Sequence, residues 1–417
     1  MSEVVDKQAI LVTIAENTAM LDECERSLDE LERLLNTAGG ECFAKVIQVK
    51  DKFDPRTCIG KGKVQEIAEL AKNNNVSLVV FDFELSPAQI RNLENDIGDV
   101  TVIDRSMLIL DIFALHAVSG EGKLQVELAQ LRYSAPRLTG KGIELSRQGG
   151  GIGSRGPGES KLETDRRHLH EKIVSLEKRL EELEHNRSVM RAQRDRSGLT
   201  KVALVGYTNA GKSTLLNKIT GSDVLAEDKL FATLDPTTRK MELKTGESIL
   251  LTDTVGFIRK LPHHLVKAFK STLDEVVYAD ILLIVSDIND PEVQEHLEVT
   301  KNVIEELGAS DKPIIYVYNK CDLTDGIAYA VLSDNSVCLS ARSGEGVDVL
   351  LQMICDEIGK GKKEYLLHIP YNEQSALNQL YKSYNVTNVD YLDSGISVKV
   401  VLDGKGRGQY AKYITEE

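Results

Sequence analysis

The chain lacks any long apolar run. No stretch of its 417 residues approaches the roughly 20 consecutive apolar residues that a membrane-spanning helix needs. The N-terminus, from Met1 to Asp6, also lacks the basic and then apolar pattern of a secretory signal. We therefore expect a cytoplasmic protein, whose contact with membranes, where it occurs, is peripheral.

The six cysteines lack any CxxC pair. They are scattered along the chain as Cys24, Cys42, Cys58, Cys321, Cys338 and Cys355. Zinc sites and disulfide frameworks typically bring cysteines together at short spacings. The scatter is typical of free thiols in a reducing compartment, and we assign these cysteines no chemistry.

An excess of positive charge is lacking as well, because the formal net charge is -14. This argues against a protein that coats nucleic acid through bulk electrostatics, which needs many Lys and Arg side chains against phosphates. The segment from Arg137 to Arg196 differs, with 14 Lys and Arg against 10 Asp and Glu and hence a net charge of +4. A local patch for nucleic acid remains possible in the middle of the chain.

Hydrophobic residues make up 41% and charged residues 28% of the chain, as in ordinary globular proteins. Its length allows two to four folded units with their own cores. In the first unit, strand-like runs at 9–14, 43–49, 76–81 and 100–103 alternate with helical patterns at 64–71 and 86–93. This alternation predicts a parallel sheet in an N-terminal α/β domain over residues 1–109.

The next unit reads as helical. The pattern is helical from 108 to 132, and a heptad seam then runs through Leu162, Leu169, Ile173, Leu176, Leu180, Leu183 and Met190. We predict an antiparallel helical hairpin over residues 110–198 with a glycine-rich loop between its helices. A plain structural spacer is an alternative role for it.

The glycine-rich loop from Gln148 to Glu159 contains a formal GxGxxG, but we reject a dinucleotide site. That motif must follow a strand and open a helix directly, whereas polar residues flank this one and Pro157 interrupts it. A flexible connector is one explanation of the composition. The surrounding basic residues favour contact of Gly149 to Gly158 with RNA instead; they are Arg137, Lys141, Arg147, Arg155, Lys161, Arg166 and Arg167.

A phosphate-binding P-loop follows the buried strand pattern at 202–205. It comprises Gly206, Tyr207, Thr208, Asn209, Ala210, Gly211, Lys212, Ser213 and Thr214, and a helix continues from Leu215. In such loops the backbone N–H groups and the helix N-terminus hold phosphates. Lys212 is predicted to reach the β and γ phosphates, and the Ser213 hydroxyl is predicted to bind Mg²⁺.

Three further motifs follow in order, and the last two select guanine nucleotide. The DxxG motif is Asp253, Thr254, Val255 and Gly256, the NKxD motif is Asn319, Lys320, Cys321 and Asp322, and the last is Ser340, Ala341 and Arg342. Asp253 is predicted to hold a water of Mg²⁺, and Gly256 to contact the γ phosphate. The Asp322 carboxylate accepts two hydrogen bonds from guanine donors that adenine lacks, and the Ala341 N–H is predicted to donate to guanine O6.

A mobile switch loop is required between the P-loop and DxxG. We place it at Phe231, Ala232, Thr233, Leu234 and Asp235, and choose Thr233 as the second hydroxyl ligand of Mg²⁺ because TLxP resembles the sequence of other GTPases here. Thr237 and Thr238 compete on chemistry alone. An ordinary polar turn is the simpler alternative for the whole segment.

The residue after Gly256 is Phe257, where Ras-like GTPases usually place a glutamine that orients the attacking water. A phenyl ring cannot do this, so we predict slow hydrolysis alone and faster turnover with a partner that orders the switches. Lys212, Thr233 and Gly256 are the predicted catalytic residues. A role in core packing is the alternative for Phe257.

Together these residues resemble the HflX family of ribosome-associated GTPases, related to Obg. The resemblance covers nearly the whole chain and depends on Ile59 to Val64, on Gly150 to Glu159 with the following Leu162 to Arg167, and on Phe231 to Pro236. It implies binding to the large ribosomal subunit, with splitting or rescue of stalled ribosomes under stress. It also implies that Gly149 to Gly158 meets ribosomal RNA.

The remaining predictions concern organisation and alternatives. The GTPase domain, a mostly parallel sheet with helices on both faces, spans 199–361, and a small α+β domain of unclear role spans 362–417, with strands at 366–369 and 396–402 and a helix near 377–384. We expect a monomer that binds GTP and GDP. The alternative function is a nucleotide-gated regulator of a non-ribosomal protein. A tRNA-modifying GTPase ranks last, because we see no one-carbon-cofactor domain or C-terminal catalytic cysteine.

Overall fold

The computed structural model describes residues 7–138, 157–196, 199–222, 229–260, 270–323, 335–360, 362–402 and 404–416. Its first domain holds a four-stranded parallel sheet in the order β2-β1-β3-β4. The strands are β1 (Gln8–Ala15), β2 (Glu41–Val49), β3 (Leu78–Phe81) and β4 (Thr101–Asp104). The helices that join them are α1 (Leu21–Thr37), α2 (Lys61–Asn74) and α3 (Pro87–Ile97).

The predicted α/β domain is therefore confirmed, and α1 is an addition to it. The sequence of α1 places apolar side chains on one face, and the structure buries them against the sheet; they are Leu28, Leu31, Leu34 and Leu35. The apolar residues of this helix do not form a continuous run, because charged residues lie between them. That helical spacing is the signal from which α1 could have been predicted.

Two helices, α4 (Arg105–His116) and α5 (Gly120–Leu138), replace the single helical segment expected from 108 to 132. The chain breaks between them because Ser119 accepts a hydrogen bond from Gly122 N at 2.8 Å and so starts a new helix. Helix α6 (Pro157–Arg196) packs on α5 with ion pairs Glu121–Arg187 and Arg132–Glu177, an antiparallel arrangement that confirms the hairpin. Most of the glycine-rich loop, 139–156, lies outside the described residues.

The third domain holds a six-stranded sheet in the order β10-β9-β8-β5-β7-β6, parallel except for the β6–β7 pair. Its strands are β5 (Thr200–Val205), β6 (Thr237–Glu242), β7 (Ser248–Asp253), β8 (Ile281–Asp287), β9 (Ile314–Asn319) and β10 (Ser336–Cys338). Its described helices are α7 (Lys212–Thr220), α8 (Lys270–Tyr278), α9 (Val293–Glu306) and α10 (Val347–Gly359). The predicted mostly parallel sheet is confirmed, and the carboxyl ends of β5, β7 and β9 bring the predicted motifs to one edge.

The small C-terminal domain is an antiparallel sheet in the order β12-β13-β11-β14. The strands are β11 (Lys363–Ile369), β12 (Asn385–Leu392), β13 (Gly395–Leu402) and β14 (Ile414–Glu416), and the helices are α11 (Gln374–Ser383) and α12 (Gly404–Tyr410). The two predicted strands and the predicted helix are present. Strands β12 and β14 and helix α12 are additions.

One hydrophobic core joins the first domain to the third. Side chains of α1, β3 and α4 form a single buried cluster with six residues of the third domain, which are Tyr207, Leu230, Phe231, Leu234, Val255 and Ile258. Every one of these six lies within the P-loop, within or beside the predicted switch loop, or within or after the DxxG motif. The segments predicted to respond to nucleotide are therefore packed against the N-terminal half of the chain.

All six cysteines are free. Cys24, Cys58 and Cys321 are buried and the others are partly buried. Burial raises the pKa of the Cys58 thiol to about 11, with a smaller contribution from the charge of Asp54. Such a thiol is a poor nucleophile near neutral pH.

Candidate functional site

The P-loop has the backbone that a phosphate cradle needs. It runs from the end of β5 to the start of α7, and two of its glycines adopt positive φ, 146° at Gly206 and 90° at Gly211. A Cβ on Gly206 would lie 2.1 Å from Val285 O, and one on Gly211 would lie 2.3 Å from Asn319 Nδ2. A side chain at Gly206 would collide with the backbone of β8 and one at Gly211 with the Asn319 amide, and both positions have a positive φ that favours glycine.

Lys212 is buried at the start of α7. Its Nζ donates hydrogen bonds to Gly206 O at 3.1 Å and to Tyr207 O at 2.8 Å. Burial lowers the pKa of Lys212 to about 8, and the nearby Asp253 carboxylate opposes this only in part. The site is thus short of negative charge, which a polyphosphate would supply.

Two hydroxyls and one carboxylate converge beside Lys212. Ser213 Oγ donates to Asp253 Oδ2 at 2.6 Å and lies 2.8 Å from Thr233 Oγ1. Asp253 Oδ1 is buried and has no hydrogen-bond partner among the described residues, and burial raises the pKa of this carboxyl group. An orphaned carboxylate oxygen beside two hydroxyls fits a hard divalent cation such as Mg²⁺, held with phosphate oxygens.

Of the three threonines considered for the switch loop, the structure brings Thr233 to this cluster. Thr237 and Thr238 instead belong to β6, and Thr238 Oγ1 lies 3.0 Å from Thr252 Oγ1 on β7. The choice of Thr233 therefore agrees with the geometry. Its role as a metal ligand stays a prediction.

Asn319 ties the guanine motifs to the P-loop. Its Nδ2 donates to Ala210 O at 2.9 Å, and its Oδ1 accepts from Ala341 N at 2.9 Å. The Ala341 N–H, predicted to donate to guanine O6, thus already has a partner, and a bound base would have to share or replace that bond. Asp322 is exposed at the same edge, and Lys320 forms an ion pair with Asp287 at 2.8 Å.

Gly256 and Phe257 pack the DxxG motif onto the P-loop. A Cβ on Gly256 would lie 2.6 Å from Thr208 Cα, while Phe257 N donates to Gly206 O at 3.0 Å and Phe257 O accepts from Thr208 N at 2.8 Å. The Phe257 ring is 1% exposed and lies in the core with Leu273 and Val276. The ring packs in the core, which is the alternative role considered for Phe257, and it carries no group that could orient water.

Several residues predicted to contact nucleotide point their side chains elsewhere. Five of these side chains are buried in the core, so only the backbone of these residues could reach a ligand; they are Tyr207, Phe231, Leu234, Val255 and Cys321. The Thr254 hydroxyl donates to Leu204 O at 2.6 Å, and the Asp235 carboxylate bonds to residues 118 and 119. Contact of the backbone of these residues with nucleotide stays a prediction. Their side chains contact other parts of the protein instead.

Sequence reasoning did not find a buried charge network between the first and third domains. Arg105 is 2% exposed and bonds to Glu30 and, at 2.7 Å, to Asp82. Burial by itself would lower the pKa of Arg105, but the two carboxylates raise it. Because these residues are far apart in sequence and follow no motif, no local signal could have revealed them.

The same network reaches the P-loop. Glu30 accepts a hydrogen bond from the Tyr207 hydroxyl, and that hydroxyl accepts one from Arg259 N at 2.8 Å. Arg259 in turn forms an ion pair with Glu292 at 2.8 Å, and its pKa is raised by that contact despite burial. The P-loop and the segment after DxxG are thereby fixed to α1.

Comparisons with known proteins agree with this geometry. Family models match three consecutive parts of the chain: "GTP-binding GTPase N-terminal" over 25–114, "GTP-binding GTPase Middle Region" over 116–194 and "50S ribosome-binding GTPase" over 201–320. The GTPase HflX of Lacrimispora saccharolytica is 48% identical over 408 residues, covering 96% of each chain. The chain belongs to the HflX family of GTPases.

Other relatives extend the comparison. The GTPase HflX of Escherichia coli K12 is 45% identical over 381 residues, covering 90% of this chain and 88% of its own. A crystal structure of a GTP-binding protein from Sulfolobus solfataricus in complex with GDP is 25% identical, with a TM-score of 0.44, and covers 84% of this chain and 98% of its own. This HflX-family chain is a GTP-binding, GTP-hydrolysing enzyme. No helix among the described residues is both long and apolar enough to cross a membrane.

Proposed function

We propose that this GTPase binds the large ribosomal subunit in its GTP state and splits or rescues stalled ribosomes. The observation that carries the proposal is the combination of a GTPase site with a long helical hairpin whose connecting segment is rich in glycine and basic residues. Glycine permits a backbone to approach phosphates closely, and Lys and Arg neutralise them. The match of 201–320 to a family described as 50S ribosome-binding GTPases supports the same partner.

Within the site we assign the following roles. Lys212 and the N–H groups of the P-loop hold the β and γ phosphates, and Asp322 selects guanine by accepting two hydrogen bonds. Ser213 and Thr233 would ligate Mg²⁺, and Asp253 would hold one of its waters. When bound, the ion neutralises charge that develops on the transferred phosphoryl group.

The attacking water needs a group that the chain does not place at Phe257. We therefore propose slow hydrolysis by the protein alone and acceleration on the ribosome, where a partner would order the switch loops. The polar groups of the phosphate cradle include the Lys212 ammonium and the hydroxyls of Thr233 and Ser213. Each binds or positions the nucleotide, and none of them replaces a water-orienting glutamine.

The test is sedimentation with purified large subunits in the presence of a non-hydrolysable GTP analogue or GDP. We expect strong co-migration with the analogue and weak co-migration with GDP, because only the analogue carries the γ phosphate over which the switch loop closes. A variant with Arg147, Arg155 and Lys161 changed to alanine should lose most of this binding and lower its salt dependence.

The matched control changes three exposed lysines elsewhere, Lys72, Lys240 and Lys363, to alanine, and should co-migrate like the unaltered protein. Equal co-migration in both nucleotide states, or none, would reject the ribosomal role. The alternative of a nucleotide-gated regulator of another protein would then stand. Unchanged binding by the hairpin variant would reject only the proposed RNA contact.

A further inference from the structure

The switch loop is anchored to the helical domain through Asp235. One oxygen of its carboxylate accepts hydrogen bonds from Val118 N at 3.0 Å and Ser119 N at 2.7 Å, and the other accepts from the Ser119 hydroxyl. These three donor groups belong to two residues, Val118 and Ser119, which lead into α5. Asp235 therefore binds the start of the hairpin, two residues after Thr233.

The contact is closely packed. The Ser119 hydroxyl also accepts from Gly122 N at 2.8 Å and so caps α5. A Cβ on Gly122 would lie 2.6 Å from Asp235 Oδ1. A side chain at this position would push the carboxylate aside, so the half-buried contact of Asp235 depends on glycine here.

The opposite end of the loop is anchored as well. The Phe231 ring packs edge to face on Phe113 of α4, with centroids 4.8 Å apart, and Phe231 N donates to Thr208 Oγ1 at 2.7 Å. Phe231 adopts a φ of 58°, an uncommon conformation for a bulky residue. Between these two anchors Leu234 is 1% exposed, and Thr233 Oγ1 lies 2.8 Å from Ser213 Oγ.

We propose that Asp235 is a positioning residue of the GTPase, which holds Thr233 at the Ser213 hydroxyl by binding the N-terminal cap of α5. The inference rests on the proposed role of Thr233 as a metal ligand. In this role the Asp235 carboxylate does not contact the nucleotide. Its consequence is that the loop closes over the phosphates only while the helical domain is seated against it.

The coupling between closure of the switch loop and seating of α5 runs in both directions, because both depend on the hydrogen bonds of Asp235. GTP that draws Thr233 into the site stabilises the seated position of α5. A partner that moves α5 withdraws Thr233 and lowers the affinity for GTP. The affinity for GDP, which lacks the γ phosphate, changes little. The hairpin thereby becomes the element through which a bound partner acts on the nucleotide.

The experiment measures affinity for a non-hydrolysable GTP analogue and for GDP, each with Mg²⁺, together with the single-turnover rate of GTP hydrolysis. In Asp235→Ala we expect affinity for the analogue and the hydrolysis rate to fall by about 10-fold to 100-fold, as for loss of charge-assisted hydrogen bonds. GDP affinity should change by less than about threefold. Ser119→Ala and Gly122→Ala should give smaller effects of the same kind.

Ser86→Ala is the matched control. Ser86 caps α3 with a complete capping box in the first domain, so its loss should destabilise the protein without separating GTP-analogue from GDP affinity. A double-mutant cycle completes the design, since Ser119→Ala and Asp235→Ala share one contact and their effects should not add. Proper folding of every variant is checked by its retained GDP affinity.

Thr233→Ala separates the two possible failures. If Thr233→Ala lowers analogue affinity while Asp235→Ala does not, the positioning role is overturned and the proposed ligand stands. If Thr233→Ala leaves analogue and GDP affinity equally unaffected, the proposed role of Thr233 fails first. Equal losses of analogue and GDP affinity in Asp235→Ala would also overturn the inference, because they would indicate general damage to the fold.

Discussion

The buried ammonium of Lys212 allows a prediction with a definite sign and size. Its pKa is lowered from 10.5 to about 8 by burial, a difference that corresponds to about 3 kcal/mol at 1.36 kcal/mol per pKa unit. In the nucleotide-free protein at pH 7, charge burial at this position opposes folding by that order. Replacing Lys212 with methionine removes the charge and keeps most of the volume.

We expect nucleotide-free Lys212→Met to be more stable than the unaltered protein by about 1 to 3 kcal/mol at pH 7. The lower figure allows for the two lost hydrogen bonds to Gly206 O and Tyr207 O. The gain should shrink as pH rises from about 8 to 10.5. In that window the unfolded state binds more protons than the native state, so the stability of the unaltered protein rises with pH.

The assay is urea unfolding of stripped protein across this pH range, reported as the difference between the two proteins so that other titrating groups cancel. Lys218→Met is the control, because Lys218 is exposed on the same helix and should give no such gain. GTP binding should be lost in Lys212→Met. A destabilised Lys212→Met, or a stability difference independent of pH, would show that the buried charge of Lys212 does not oppose folding.

Two further predictions follow from buried side chains. Arg105→Leu should destabilise the protein by about 3 to 5 kcal/mol, because Glu30 and Asp82 lose their shared buried partner. Thermal unfolding measures this loss, with Arg56→Leu, which removes an exposed ion pair, as the control. A loss of stability below about 1 kcal/mol in Arg105→Leu would contradict the prediction. Phe257→Gln should lower stability by about 3 kcal/mol without raising single-turnover hydrolysis, because the position faces the core; faster hydrolysis would show that it faces the water instead.

The order of elements and the nucleotide motifs could be predicted because both are local. Period-two and helical spacing identify strands and helices within a few residues, and the P-loop, DxxG and NKxD motifs are short segments that parallel strands bring to one sheet edge. The single helical segment predicted from 108 to 132 is two helices. The break depends on the bond between Ser119 and Gly122, and its partner Asp235 lies more than a hundred residues away.

The rest of the site depends on contacts between distant segments. The position of 231–235 between the P-loop and DxxG, together with its TLxP sequence, predicts a switch, yet Phe231 and Leu234 are buried against α4 and its neighbours. Likewise the P-loop pattern does not specify the residue at Tyr207, while the Tyr207 hydroxyl donates to Glu30 of the first domain. Such roles arise from tertiary packing, which no periodicity or motif spacing encodes.

We propose that one carboxylate, Asp322, selects guanine for the phosphate cradle around Lys212. The most direct measurement is displacement of fluorescent GDP from this pocket by GTP, XTP and ATP, in the unaltered protein and in Asp322→Asn. We expect displacement by GTP alone in the unaltered protein and a change of preference to XTP in Asp322→Asn, because an amide donates where the carboxylate accepted. Displacement by ATP as readily as by GTP, or an unchanged guanine preference in Asp322→Asn, would contradict it.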